Sequence, residues 1–122
     1  MNVENHVYPT QERVQKLMGD ASGEPIVMLN LLKFRDKAVY ADGRTTTLTG
    51  REAYQLYGTA MQKVVEKNGG KFVFGGDVAS LVIGEVQDMW DLCALVEYPS
   101  AAAFAKIATS PEVSEIGVHR AA

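Results

Sequence analysis

The chain has 122 residues, of which 47% are hydrophobic and 22% charged, and its net charge is −3. This length suits one compact domain that buries roughly two thirds of its unfolded surface, so neither disulfides nor zinc are needed to hold it together. An acidic balance without a basic block excludes nucleic acid and anionic membrane as main partners, because both require a concentrated basic face.

The single cysteine, Cys93, leaves no internal disulfide to form. The opening "MNVENHVYPTQER" lacks the apolar core of a secretory leader, and the longest apolar runs are too short to span a bilayer. The expectation is a cytoplasmic protein. There is no internal repeat, low-complexity tract or linker, so residues 1–122 read as one domain that includes an N-terminal arm and a short helix over 1–20.

In chain order, residues 1–9 form an arm ending at Pro9. Thr10 can cap a helix over about 11–18 with Val14, Leu17 and Met18 on one face, stopped by Gly19 and "ASGEP". The run "VMLNLLKFR" lies in a strong strand over 26–34, unusual for carrying Asn30 in its middle and Lys33 and Arg35 at its exit. Residues 35–49 make a long connection whose centre, "YADGRT", has the Asp-Gly of a small hairpin. Thr49 and Glu52 have capping-box spacing at the start of a helix over about 50–68, which Asn68 and Gly69 end.

"KFVFGGDVASLVIG" reads as one long strand over 71–84, with Gly75-Gly76 marking a bulge or a close backbone approach. "EVQDMW" is a turn, and "DLCALVEY", 91–98, a buried strand that Pro99 ends. Ser100 caps a helix through "AAAFAKIAT". Ser110-Pro111-Glu112 opens a last helix, to about His119, with a cap, a first-turn proline and an acid near the positive end.

Strand, helix, strand, strand, helix points to an α+β, ferredoxin-like βαββα sheet with its helices on one face. On this reading the first and third strands lie side by side and parallel, and the second is one edge. The usual final strand is missing from the sequence, so 26–34 is an apolar edge to be covered by the N-terminal arm, a partner subunit or a lost strand.

The blocks "VMLNLLKFR", "LTGREAYQLYG", "FVFGGDVASLVIGEV", "MWDLCALVEYPS" and "SPEVSEIGVHRAA", in this order, resemble the family called domain of unknown function 1330. The resemblance implies the dimeric α/β-barrel superfamily, whose ferredoxin-like subunits pack their sheets together in a homodimer. That superfamily includes cofactor-free monooxygenases, small-ring isomerases and haem-handling enzymes, whereas the family itself has no established reaction. Val113 stands where such chains usually carry an aromatic residue, and they usually continue beyond "HRAA" into a final strand.

The residues that could carry chemistry each keep a structural alternative. Asn30 is either an amide tying down a neighbouring segment or a substrate contact. Lys33, Arg35 and Glu97 are expected at one end of the sheet, with the helix that starts at Ser100. There they either hold a small anionic or polar molecule or form a Lys33–Glu97 ion pair beside a solvated arginine. Tyr57 fits the core stripe of its helix, while Tyr54 borders it and can present its hydroxyl to a cavity. His119 and Arg120 close the last helix, as an acid and anion clamp or as cations suited to the helix dipole.

Asp91 is a base or, more simply, a turn cap, and Cys93 is a small core residue. His6 and His119 lack metal-ligand spacing, so no metal is expected. No P-loop, Rossmann fingerprint, G-x-S-x-G or H-E-x-x-H occurs, and no cofactor is expected. Two functions remain: a cofactor-free enzyme acting on a small polar organic molecule, or a non-catalytic ligand-binding or dimeric assembly module.

Overall fold

The computed structural model describes residues 3–19 and 22–122. Asp20 and Ala21, within the predicted stop of the first helix, and Met1 and Asn2 of the arm lie outside the described residues. The elements are α1 (Gln11–Gly19), β1 (Ile26–Leu32), α2 (Gly50–Lys67), β2 (Lys71–Asp77), β3 (Leu92–Tyr98), α3 (Ala101–Ala108) and α4 (Pro111–Ala121).

Local chemistry accounts for the helix boundaries. The Thr49 hydroxyl accepts from the Glu52 amide at 3.0 Å, and the Glu52 carboxylate accepts from the Thr49 amide at 2.9 Å, completing both halves of the capping box. Beyond α2, Gly69 takes a φ of 85°, a left-handed turn that glycine adopts without steric cost. The Ser100 hydroxyl accepts from the Ala103 amide at 3.0 Å, and Ser110 caps α4 ahead of Pro111.

The three strands are ordered β1-β3-β2, and β3 runs antiparallel to both neighbours. The predicted parallel pairing of the first and third strands is therefore corrected. The crossover through α2 returns β2 in the direction of β1, and the chain then reverses into β3, which must oppose both. β1 remains an edge strand, as expected.

β2 ends at Asp77 rather than continuing to 84: β3 begins at Leu92, directly opposite Asp77, and the pairing closes with one further bond, from the Val78 amide to the Asp91 carbonyl at 3.0 Å. Leu81, Val82 and Ile83 instead project from a loop, with Val82 89% and Ile83 87% exposed. The register shift in β2 falls between Phe72 and Phe74, not at the paired glycines. Gly76 has a different reason: a Cβ there would lie 3.2 Å from the Phe74 ring. In the 35–49 connection, Tyr40–Gly43 form a turn in which the Gly43 amide donates to the Tyr40 carbonyl, but strands do not flank it.

Alternation along the strands makes two unlike faces. On one face, Val96 and Tyr98 of β3 pack with Met61, Val64 and Val65 of α2 and Ile107 of α3, with Ile26 and Met28 at the margin. A second cluster joins Ala38 and Tyr40 to Ala53 of α2 and to Ala122. On the opposite face, Val27, Leu29 and Leu31 of β1 and Phe74 of β2 are exposed, Leu29 at 62%. Helices α2 and α3 pack the first face, α4 lies against α2, and α1 touches α3. No described helix is long and apolar enough to cross a membrane.

Candidate functional site: a cationic pocket at the exit of β1

Because β1 and β3 are antiparallel, the carboxyl end of β1 meets the start of β3. Leu32 is opposite Leu92, and the next residues on either side, Lys33 and Asp91, bring Nζ and Oδ1 to 3.8 Å. Glu97 lies at the far end of the sheet, opposite Val27 and Lys71, with its carboxylate 3.6 Å from Lys71 Nζ. The expected gathering of Lys33, Arg35, Glu97 and the α3 N-terminus therefore does not occur. Lys33 and Arg35 remain at one end; Glu97 and Ser100 belong to the other.

What does gather at the β1 exit is a concave pocket of about 170 Å³. Its walls are Leu31–Arg35 from the strand, Gly50 and Tyr54 from the first turns of α2, Arg120–Ala122 from the end of α4, and Asn5–Val7 from the N-terminal arm. Lys33, Arg35 and Arg120 line it, together with the imidazole of His6, and among the described residues no aspartate or glutamate side chain does.

Main-chain geometry positions the cations. The Gly50 amide donates to the Arg35 carbonyl at 3.0 Å, docking the start of α2 onto the segment leaving β1. That approach requires glycine, because a Cβ at position 50 would collide with the Arg35 backbone. The Arg35 guanidinium donates through Nη1 to the main-chain oxygens of Ala121 and Ala122, at 2.9 and 3.1 Å. Arg120 donates through Nη1 to the Val7 carbonyl at 2.6 Å, and Trp90 Nε1 donates to Asn5 Oδ1 at 3.2 Å. These last two bonds lay the arm over the pocket.

Asp91 fixes the floor. Its amide donates to the Leu32 carbonyl at 2.7 Å, and its Oδ2 accepts from the Phe34 amide at 2.7 Å. The capping role is the one it takes. The Phe34 ring stands 5.5 Å from that of Tyr54 and carries the Arg51 guanidinium 4.9 Å from its centre on a cation–π contact. Tyr54 in turn stacks on Tyr57 at 5.4 Å. Burial, reinforced by Tyr57 and opposed by Arg120, pushes the Tyr54 hydroxyl up to about 12. At neutral pH it is an uncharged phenol, able to donate a hydrogen bond to an anion.

Asn30 and His119 do not line this pocket. Asn30 Nδ2 is 3.3 Å from the Met28 carbonyl and 3.5 Å from that of Ala94, so its amide faces the main chain of its own strand and of β3. His119 bonds through Nδ1 to the hydroxyl of buried Tyr40 at 2.7 Å, with the two rings edge to face. Of the seven residues singled out in the sequence, four meet here: Lys33, Arg35, Tyr54 and Arg120. The arm was missed as a wall because its placement rests on two distant hydrogen bonds with no local signal. Asp91 was legible in principle, since the antiparallel register puts it beside Lys33. Among the described residues, no group of three or more His, Cys, Asp or Glu side chains could hold a metal ion.

The fold and this pocket define a small α+β protein of ferredoxin-like architecture. The family model described as "Domain of unknown function (DUF1330)" matches residues 38–122, and the chain belongs to that family. Among solved structures, it is similar to the RPA0582 protein of unknown function from Rhodopseudomonas palustris. That likeness has 37% identity and a TM-score of 0.85, over 98% of this chain and 88% of the other. The methylated RPA0582 protein gives 39% identity and a TM-score of 0.86, over 98% and 87% of the respective chains. No curated protein matches the chain. The family match begins at Ala38, so the pocket joins family residues Gly50, Tyr54 and Arg120 to a strand and an arm that precede them.

Proposed function

We propose that this protein binds a small anionic or polar organic molecule in the pocket at the exit of β1. The observation that supports this reading is the concentration of Lys33, Arg35 and Arg120 around one concavity with no acidic side chain of the described residues in its lining, in a chain whose net charge is −3. Each guanidinium makes its described hydrogen bonds through Nη1 alone, to main-chain oxygens, and among the described residues neither is paired with an acidic side chain. The alternative Lys33–Glu97 pair without a neighbouring concavity is not what the geometry supports.

The pocket favours binding over proton abstraction. Tyr54 is held neutral, and His6 is the only imidazole in the lining. A cofactor-free reaction at this site would use His6 for proton transfer. The test is an NMR titration with small organic acids. Amide shifts at residues 33–35, 54 and 120 are expected, with loss of binding in the double variant Arg35→Gln/Arg120→Gln. Absence of any shift across the acids would overturn the proposal.

A homodimer of the dimeric α/β-barrel type is a second element of this reading. It is favoured by the uncovered sheet face of Val27, Leu29, Leu31 and Phe74, since contiguous exposed apolar surface of this kind marks an interaction site. A cytoplasmic setting accords with one free cysteine, Cys93.

A further inference from the structure

We propose that the pocket takes a small organic carboxylate, and that the arm Asn5–Val7 is a strap over it which the bound carboxylate fastens through Arg120. This rests on the ligand-binding reading above and adds the ligand's chemical class and a moving wall.

The class follows from the two kinds of lining. Arg35 and Arg120 are guanidiniums, whose planar forks match carboxylate oxygens. The remaining wall is apolar and aromatic: Leu31, Leu32, Phe34 and the Tyr54 ring. An inorganic anion would leave that surface unmatched, whereas a carboxylate with a short carbon body meets both. The volume of about 170 Å³ lies below the roughly 300–1,000 Å³ typical of drug-sized ligands, which selects a small acid.

The strap follows from how the arm is held. Every residue from Val3 to Thr10 is exposed, so little apolar burial retains it. Its described anchors to the body are the Arg120–Val7 and Trp90–Asn5 hydrogen bonds, each a small net contribution because the same groups bond water when released. A segment so held opens locally at low cost. Arg120 belongs to both structures: it lines the pocket and it grips the arm. A carboxylate on its remaining N–H groups immobilises the guanidinium in the position that holds Val7. Ligand and strap then order one another, and closure over the ligand slows its escape.

The chain's one tryptophan, Trp90, reports on the strap directly, since its indole N–H holds Asn5. The experiment titrates the full chain with benzoate, its neutral isostere benzamide and inorganic phosphate. It follows affinity, Trp90 fluorescence and the backbone amide order of residues 3–8 by NMR relaxation. Benzoate is expected to bind at least about tenfold tighter than benzamide or phosphate, to change Trp90 emission and to raise the order of residues 3–8. Trp90→Phe, which removes one anchor outside the pocket lining, is expected to weaken benzoate about fivefold, mainly through faster release.

Benzoate binding with residues 3–8 unchanged would overturn the strap and leave the pocket standing. Phosphate or benzamide binding as tightly as benzoate would overturn the carboxylate assignment alone. No binding of any probe would overturn both this inference and the ligand-binding reading beneath it.

Discussion

The main-chain amide of Phe34 donates to Oδ2 of Asp91 at 2.7 Å, so one carboxylate fastens the exit of β1 to the start of β3. The same side chain lies 3.8 Å from Lys33 and is 31% exposed. Asp91→Ala removes a charge-assisted acceptor from a partly buried amide. With solvent screening, its cost is about 1–2 kcal/mol, read as a lower denaturant midpoint at unchanged slope. Asp91→Asn keeps an acceptor and costs less. Because it also releases Lys33 from its carboxylate, it is expected to tighten anion binding in the pocket, measurable by calorimetric titration.

Two glycines of α2 respond to alanine in opposite directions. At Gly50 an added Cβ meets the Arg35 carbonyl oxygen and lies 2.7 Å from the Arg35 nitrogen, both main-chain atoms that cannot step aside. Gly50→Ala therefore destabilises by about 1–3 kcal/mol and displaces Arg35. At Gly58 nothing lies within 4 Å of the added atom, and the residue is interior to the helix. Gly58→Ala stabilises by about 0.5–1 kcal/mol, since alanine loses less backbone entropy there. Thermal melts of the two variants separate the effects by sign.

The features legible in the sequence are those written within a few residues of one another. Thr49 and Glu52 announce the start of α2 because a capping box is closed by neighbours, and Ser110-Pro111-Glu112 does the same for α4. The direction of β3 is not local. Reading it as parallel to β1 sent Lys33 towards Glu97 when the register joins Lys33 to Asp91. The end of β2 likewise depends on where its partner begins: Leu81, Val82 and Ile83 have strand-forming side chains but no backbone to pair with. Lys33, Arg35, Tyr54 and Arg120 were legible as site candidates because charge at an element's end or a tyrosine beside an apolar stripe is visible in one dimension. The pocket's roof was not, since Asn5 and Val7 reach Trp90 and Arg120 across almost the whole chain.

Two tyrosines make the fold sensitive to strong alkali. Burial raises Tyr54 from an ordinary 10.0 to about 12, and it raises Tyr98 likewise to about 12. In each case the folded state holds the phenolic proton more tightly than the unfolded chain does. Their contribution to stability is fully present below about pH 10 and is lost as pH rises through about 12. Stability against denaturant is therefore expected to fall over this window, and Tyr54→Phe to make the fall shallower. Arg120 pulls Tyr54 down, so Arg120→Gln moves its titration higher, detected by phenolate difference absorbance. A titration of Tyr54 that does not respond to Arg120→Gln would contradict their placement at one pocket.

Leu29 tests the bare face of the sheet. It stands opposite Leu95 of β3 and is 62% exposed, between Val27 at 53% and Leu31 at 38%. If a second copy covers this face, Leu29→Arg places an unpaired guanidinium in an apolar interface. The cost is several kcal/mol, enough to weaken association more than a hundredfold. In the isolated subunit the same substitution meets solvent and changes stability by less than about 0.5 kcal/mol. Sedimentation equilibrium is expected to show a dimer for the parent chain and a folded monomer for Leu29→Arg, with the far-ultraviolet circular dichroism unchanged. Met28 provides the contrast, since it packs against the core on the other face of the same strand and Met28→Arg should unfold the chain. A parent chain that sediments as a monomer at every concentration would remove the homodimer while leaving the pocket at the exit of β1 intact.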